Sequence, residues 1–339
     1  MSSRGALTIM ACESGRPFAG RVINSLNELV TNNFYRSKFS LKDTSETWFA
    51  NGEVKTMIRE NIRGDDFYII QNIDDPNSDR SVNDNLMALL SAIDAAYQSD
   101  ADQITVVIPS YPYARQERKK TREGITAKLI AKFIETCGAD RVITLDIHAE
   151  AIQGFFSNVK MENLHASRTL IDHMRATYDL SEMMVVCPDV GGAERARFFS
   201  KELQSDLAIV DKARNYEKAS TIETMRLVGS VENRDVLLVD DMIATGGTLV
   251  NACQLLKDKG AKNIYCLASL PFLNGSAVEK LEKAVSDGII TKIVGTDAVF
   301  RGEEFVKKHP WYDEVSIAPL FARVIYNINM KLSVSELLR

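Results

Sequence analysis

The stretch Val236–Thr248, VLLVDDMIATGGT, decides the fold. Its first four residues form an unbroken apolar run of the kind buried on both faces of a parallel sheet. The run ends in two adjacent carboxylates, Asp240 and Asp241, and passes through Gly246 and Gly247 into an amphipathic segment, Thr248 to Lys259. Glycines at a helix start permit backbone angles that turn successive N–H groups toward one point, and the helix dipole favours an anion there. Thr245 and Thr248 can add hydroxyl donors. Asp240 and Asp241, a few residues upstream, can accept hydrogen bonds from vicinal sugar hydroxyls and hold Mg2+ through water. A sugar 5-phosphate satisfies both ends.

Outward from this stretch the same rhythm repeats. Short apolar runs occur at Phe67–Gln71, Ile104–Pro109, Arg141–Asp146, Met183–Asp189, Leu207–Asp211, Asp235–Asp241 and Asn263–Ser269, and ALTIMA near the N-terminus suits a first strand. Helix-like segments such as Asn83–Ala96, Thr126–Cys137 and Ala193–Leu203 lie between them. The alternation predicts an α/β chain of βαβ units with mainly parallel sheets flanked by helices, and ligands at the carboxyl ends of the strands. At 339 residues the chain has length for two cores. The expected boundary lies near Asn163, giving domains 1–163 and 164–339, with a C-terminal segment that can pack back on the first.

Lys and Arg number 41 against 46 Asp and Glu, a net charge of -5, which argues against a nucleic-acid partner. Five cysteines are scattered without metal-ligand spacing and suit buried thiols in a reducing compartment. No apolar stretch approaches the roughly 20 residues needed to span a bilayer, so a cytoplasmic protein without a membrane partner is expected.

A nucleotide would need a cradle other than the usual P-loop, since no GxxxxGK[S/T] occurs. Pro109–Leu129, PSYPYARQERKKTREGITAKL, gathers Arg115, Arg118, Lys119, Lys120 and Arg122 before a helix. Cys187–Arg197, CPDVGGAERAR, sets Asp189 at a strand end before Gly191 and Gly192, a second anion nest. Taken alone, the basic run is a solvated loop, the CPDVGG turn an ordinary strand-to-helix connection, His148 a core histidine, and Lys212 with Arg214 a surface cluster.

Together these segments carry a resemblance. Val236–Thr248 resembles the phosphoribosyl-pyrophosphate loop of the type I phosphoribosyltransferase fold. Tyr113–Gln116, YARQ, and Phe49–Glu53, FANGE, resemble the ATP-binding segment and adenine turn of ribose-phosphate pyrophosphokinases. Leu145–Phe156, LDIHAEAIQGFF, resembles that family's metal-histidine signature, Cys187–Arg197 its pyrophosphate loop, and Ile209–Ser220 its flexible catalytic loop. The likeness runs from Arg63–Gln71 to the closing Ser333–Leu338. It implies two tandem phosphoribosyltransferase-like domains, the first for ATP and the second for ribose 5-phosphate. It implies ATP contacts at Phe49, Asn51, Glu53, Arg115, Gln116 and His148, sugar-phosphate contacts at Asp240, Asp241, Thr245, Gly246, Gly247 and Thr248, and a pyrophosphate loop at Asp189, Gly191 and Gly192. Lys212 and Arg214 are then catalytic, and Mg2+ falls to His148 and Asp189. A homo-oligomer, hexameric or related, with an adenine site shared between subunits also follows from the resemblance.

Two positions depart from the family pattern. Ala244 stands where an acid commonly faces ribose, and Lys120 about where many members have an Asp. They leave room for two other readings, a nucleobase phosphoribosyltransferase and a non-catalytic regulatory subunit.

Overall fold

A computed structural model describes residues 5–31, 38–214 and 223–337. The chain divides into two compact units: Met1–His165 with Asp297–Arg301 and Ser316–Arg339, and Ala166–Thr296 with Gly302–Val315.

The first unit contains strands β1 (Leu7–Ala11), β2 (Thr44–Trp48), β3 (Val54–Ile58), β4 (Asp66–Ile70), β5 (Gln103–Val107), β6 (Arg141–Leu145) and β7 (Lys160–Leu164). Five of them form a parallel sheet in the order β1-β4-β5-β6-β7, and β2 and β3 make a separate antiparallel hairpin. All five residues of β4 and of β6 are buried, as expected for strands covered by helices on both faces. The covering helix Val82–Gln98 starts with a reciprocal cap: the Asp84 N–H donates to Ser81 Oγ (3.2 Å) and the Ser81 N–H donates to Asp84 Oδ2 (2.9 Å).

Helix Ala318–Asn329, from the far end of the chain, packs against helix Arg16–Thr31, with the Phe18 and Phe321 rings edge to face at 5.3 Å. A buried polar knot fixes the pair to the sheet. Asp66 Oδ2 accepts from the Tyr68 hydroxyl (3.1 Å) and from Asn329 Nδ2 (3.0 Å). Arg21 Nη1 pairs with the fully buried Asp297 at 2.8 Å, and the Ile317 N–H donates to the same carboxylate (2.7 Å). Donors and a cation gathered on a buried carboxylate offset part of the hydration it has lost.

The second unit contains β8 (Met183–Cys187), β9 (Leu207–Arg214), β10 (Glu223–Val228), β11 (Asp235–Met242), β12 (Ile264–Leu270), β13 (Lys292–Thr296) and β14 (Tyr312–Val315), in the order β10-β9-β8-β11-β12-β13-β14. Every neighbouring pair is parallel except β9 with β10. β11 therefore lies in the middle of the sheet. The sequence places Lys212 and Arg214 on a loop leaving Leu207–Asp211, but the strand continues through both, because the returning β10 supplies backbone partners as far as Arg214. The intervening residues, 215–222, lie outside the described residues.

The β1 connection admits no side chain at Gly15. An added Cβ would stand 2.3 Å from the Ile70 carbonyl oxygen, a backbone atom in the neighbouring strand. Gly15→Ala should therefore lower unfolding stability by about 1–3 kcal/mol, the usual cost of overpacking, read as a lower urea midpoint at unchanged slope; an unaltered midpoint would contradict this packing.

Candidate active site

Val236, Leu237, Leu238 and Val239 are each 0% exposed, held between β8 and β12. Burial of such side chains is worth about 1.5–3 kcal/mol apiece, which fixes the register and leaves the two acids at the carboxyl end of β11. The Asp241 N–H donates to Asp240 Oδ1 (2.8 Å), and Arg195 Nη1 lies 4.0 Å from Asp241 Oδ1. Asp189, just beyond the adjoining β8, adds negative charge that acts on Asp240. Burial, then the neighbouring charge of Asp241, push the Asp240 carboxyl up to about 7. Asp189, Asp240 and Asp241 are thus brought to one sheet edge, where a cation or hydroxyl donors would relieve the crowding.

From β11 the chain turns quickly. The Ile243 N–H donates to Leu270 O (3.1 Å) and the Asn274 N–H to Ala244 O (2.8 Å), pinning the loop to the segment after β12. Gly246 caps helix Gly247–Asp258 with φ of 72°. The left-handed requirement falls on Gly246; Gly247 is already the first helical residue, and a Cβ there would meet nothing within 4 Å. Thr245 and Thr248 are exposed beside the helix start, whose first N–H groups have no intrahelical acceptor. Exposed hydroxyls, unsatisfied amides and the positive end of the dipole meet here, next to carboxylates.

The second expected nest is partly filled by the protein itself. Asp189 Oδ1 accepts from the Gly192 N–H (3.0 Å), and the Cys187 thiol donates to Asp189 O (2.7 Å). Gly191 and Gly192 keep ordinary backbone angles in a short turn, Val190–Gly192, leading into helix Ala193–Leu203. A Cβ on Gly191 would lie 3.2 Å from Asp189 Oδ1, so the small residue leaves the carboxylate room. The sequence reading missed Arg195, which the helix carries back toward Asp241; a cation in the first turn after a glycine pair was the available signal. Lys212 and Arg214 occupy backbone positions opposite Met225 and Glu223 on β10.

In the first unit, Phe49 is 48% exposed at the tip of the β2–β3 hairpin. The Phe49 N–H donates to Glu53 O (2.9 Å), and Asn51 Oδ1 accepts from the Glu53 N–H (3.2 Å), so Asn51 shapes the turn and Glu53 remains exposed. Arg115 and Gln116, both exposed, follow β5; His148, also exposed, follows β6. β5 and β6 are adjacent and parallel, which brings these three to the same edge of the sheet. The turn before His148 is tightly held: Asp146 has φ of 38°, its N–H donates to Leu164 O (2.8 Å), the Ile147 N–H donates to Asn163 Oδ1 (3.0 Å), and His165 Nδ1 lies 3.0 Å from Asp146 Oδ1. Among the described residues no three His, Cys, Asp or Glu side chains gather as a ready metal cage, and no helix is long and apolar enough to cross a membrane.

Apart from His148, the residues of these two sites fall within regions matched in known proteins. Residues 7–138 match the N-terminal domain of ribose phosphate pyrophosphokinase, and residues 159–300 match the phosphoribosyl transferase domain. The chain is 43% identical over 298 residues to a ribose-phosphate pyrophosphokinase of Chlorobaculum tepidum, covering 88% of this chain and 87% of that one. It is 39% identical to one from Vibrio cholerae, covering 94% and 98%. The crystal structure of a phosphoribosylpyrophosphate synthetase from Mycobacterium smegmatis superposes with a TM-score of 0.84 at 31% identity, covering 96% of this chain and 99% of that one. Two tandem phosphoribosyltransferase-type domains, an acid-bearing glycine turn in the second, and likeness along nearly the full length place this chain in the ribose-phosphate pyrophosphokinase family.

Proposed function

We propose that the chain transfers the β,γ-pyrophosphoryl group of ATP to the 1-hydroxyl of ribose 5-phosphate, giving 5-phosphoribosyl 1-pyrophosphate and AMP. The observation that carries the reading is the buried run of β11 that delivers Asp240 and Asp241 a few residues before the left-handed Gly246 and an open helix start. That arrangement matches a ligand with hydroxyls at one end and a dianion at the other.

In this reading the 5-phosphate sits on the N–H groups and hydroxyls of Thr245, Gly246, Gly247 and Thr248, and Asp240 and Asp241 accept from the ribose hydroxyls. Residues 1–163 take ATP, with Phe49 stacking on the base, Asn51 and Glu53 at its polar edge or ribose, and Arg115 and Gln116 on the phosphates. The 1-hydroxyl attacks the β-phosphorus, the bond to the α-phosphate oxygen breaks, and AMP leaves. Reactions of this kind are accelerated chiefly by alignment and charge stabilisation. Lys212 and Arg214 close over the transferring group and stabilise its developing charge. Asp189, Gly191 and Gly192 receive the pyrophosphate, which requires the Gly192 N–H to exchange Asp189 for a phosphate oxygen.

Mg2+ suits these residues, because that ion is usually held by one or two carboxylates together with substrate phosphates rather than by an all-protein cage, and the crowded Asp240 calls for a positive neighbour. His148 would hold one Mg2+ on the ATP phosphates and Asp189 a second, and the ions would supply neutralisation of phosphate charge. A homo-oligomer, hexameric or related, in which the Phe49–Glu53 turn serves a neighbouring subunit's ATP, and a cytoplasmic location complete the proposal.

The purified chain should release AMP from ATP only when ribose 5-phosphate and Mg2+ are both present; no release would favour a phosphoribosyltransferase or a regulatory subunit. Lys212→Ala should cut kcat by roughly 100-fold or more and leave the KM for ATP within about threefold, and near-normal turnover would remove Lys212 from this role. Asp240 yields a pH signature. Its folded value of about 7 lies above the unfolded value of about 3.9, so the folded state retains a proton the unfolded state loses, and stability falls as pH rises between those values. Asp240→Asn removes that loss: its thermal midpoint should exceed wild type by at least roughly 2 °C at pH 8, with a smaller gain at pH 5. A gain independent of pH would contradict the raised carboxyl.

A further inference from the structure

The start of helix Val82–Gln98 touches both segments assigned above to the nucleotide. On one side the Arg80 guanidinium lies over the Trp48 ring, 4.3 Å from its centroid. Trp48 is the last residue of β2, directly before Phe49. Trp48 is half-buried there, whereas Phe49, the next residue and just beyond the strand, is exposed. The hairpin is tied to the same helix again where the Thr56 hydroxyl donates to Ala88 O (3.4 Å).

On the other side the Tyr113 hydroxyl donates to Asn83 Oδ1. Tyr113 has φ of 57°, a conformation bulky residues adopt only where their surroundings enforce it. Its carbonyl accepts from the Gln116 N–H (2.8 Å), closing the turn that presents Arg115. The conformation of that turn depends on Tyr113, and the side chain of Tyr113 is anchored on Asn83. Between the two arms lies the Ser81–Asp84 cap, whose reciprocal hydrogen bonds make residues 80–84 a stiff piece of chain.

We infer that Arg80 and Asn83 are positioning residues for the nucleotide, one cap bracketing the adenine turn through Trp48 and the Arg115 turn through Tyr113. Neither touches ATP; each holds a residue that carries or adjoins a contact. The inference rests on the ATP assignments proposed above and on nothing in the sugar-phosphate loop. In the oligomer proposed above the Arg115 arm serves this chain's ATP and the Phe49 arm a neighbour's, so damage to either arm appears as weaker ATP binding without a matching change for ribose 5-phosphate.

The test is steady-state kinetics of the full-length enzyme with Asn83→Ala, Asn83→Asp, Tyr113→Phe and Arg80→Ala, alongside Arg115→Ala and thermal unfolding of each. Tyr113→Phe keeps the ring and its packing, so it folds even where other variants fail. The expected result is a rise of roughly 3- to 10-fold in the KM for ATP in Asn83→Ala, Tyr113→Phe and Arg80→Ala, the factor one neutral hydrogen bond or exposed cation–π contact supports. The KM for ribose 5-phosphate and the thermal midpoint stay at wild-type values. The Asn83→Ala/Tyr113→Phe double variant is no worse than either single, and Asn83→Asp, which keeps an acceptor, restores ATP binding. The bracket is overturned by an unchanged KM for ATP in either arm, by parallel loss of ribose 5-phosphate binding, or by additive effects in the double variant. If Arg115→Ala weakens ATP while Tyr113→Phe and Arg80→Ala do not, the bracket alone fails; if Arg115→Ala also leaves ATP untouched, the ATP assignment beneath it fails.

Discussion

Two carboxylates side by side at the end of a buried apolar run are a costly arrangement, and the second unit is organised around it. Val236 to Val239 are held too firmly in the middle of the sheet for β11 to slip by one residue, since a slip would turn every side chain to the opposite face. Asp240 and Asp241 consequently cannot retreat into solvent, and Asp240 holds its proton to about pH 7. The crowding makes the edge receptive: hydroxyl donors or a cation arriving there replace hydration that the fold has removed. The same short loop sets Gly246 at a left-handed angle to begin a helix, so an electropositive amide cluster opens a few residues from a strongly electronegative pair. Charge crowded at a sheet edge in this way is offset by packing elsewhere.

The first unit reaches a comparable end by different means. Its sheet edge holds Arg115, Gln116 and His148 on turns after adjacent strands, and the nonglycine residues Tyr113 and Asp146 take left-handed angles just upstream. Each of those angles is locked by hydrogen bonds from outside the turn, Asn83 for Tyr113, and Leu164 O with His165 for Asp146. The result is that exposed side chains stand on backbone that has little freedom, which suits the triphosphate site proposed for this edge.

Much of this was legible in the sequence, for physical reasons that also explain what was not. Runs such as ITVVIP and DVLLVDD are continuous because both sheet faces are covered, and they marked β5 and β11 to within a residue or two. The hairpin β2–β3 carries no such signal: TSETW and VKTMI mix polar and apolar residues, and each strand has one buried residue, Thr44 and Thr56. Composition alone ends β9 too early because Lys212 and Arg214 are polar, although an antiparallel neighbour near a sheet edge is enough to keep polar residues in strand. The glycine turn after Asp241 was readable in composition, but only coordinates separate Gly246, which needs its left-handed angle, from Gly247, which does not. Arg195 and the Asp189–Gly192 bond depend on how helix Ala193–Leu203 leaves its strand, which local sequence does not specify.

The central claim is that the turn from Asp240 to Thr248 is a sugar-phosphate site. Its most direct measurement is a crystal structure of the protein soaked with ribose 5-phosphate and Mg2+. The account predicts the phosphate on the N–H groups of residues 245–248 and the ribose hydroxyls within hydrogen-bonding distance of Asp240 and Asp241. A ligand bound elsewhere on the second unit, with that turn unchanged and empty, would contradict it.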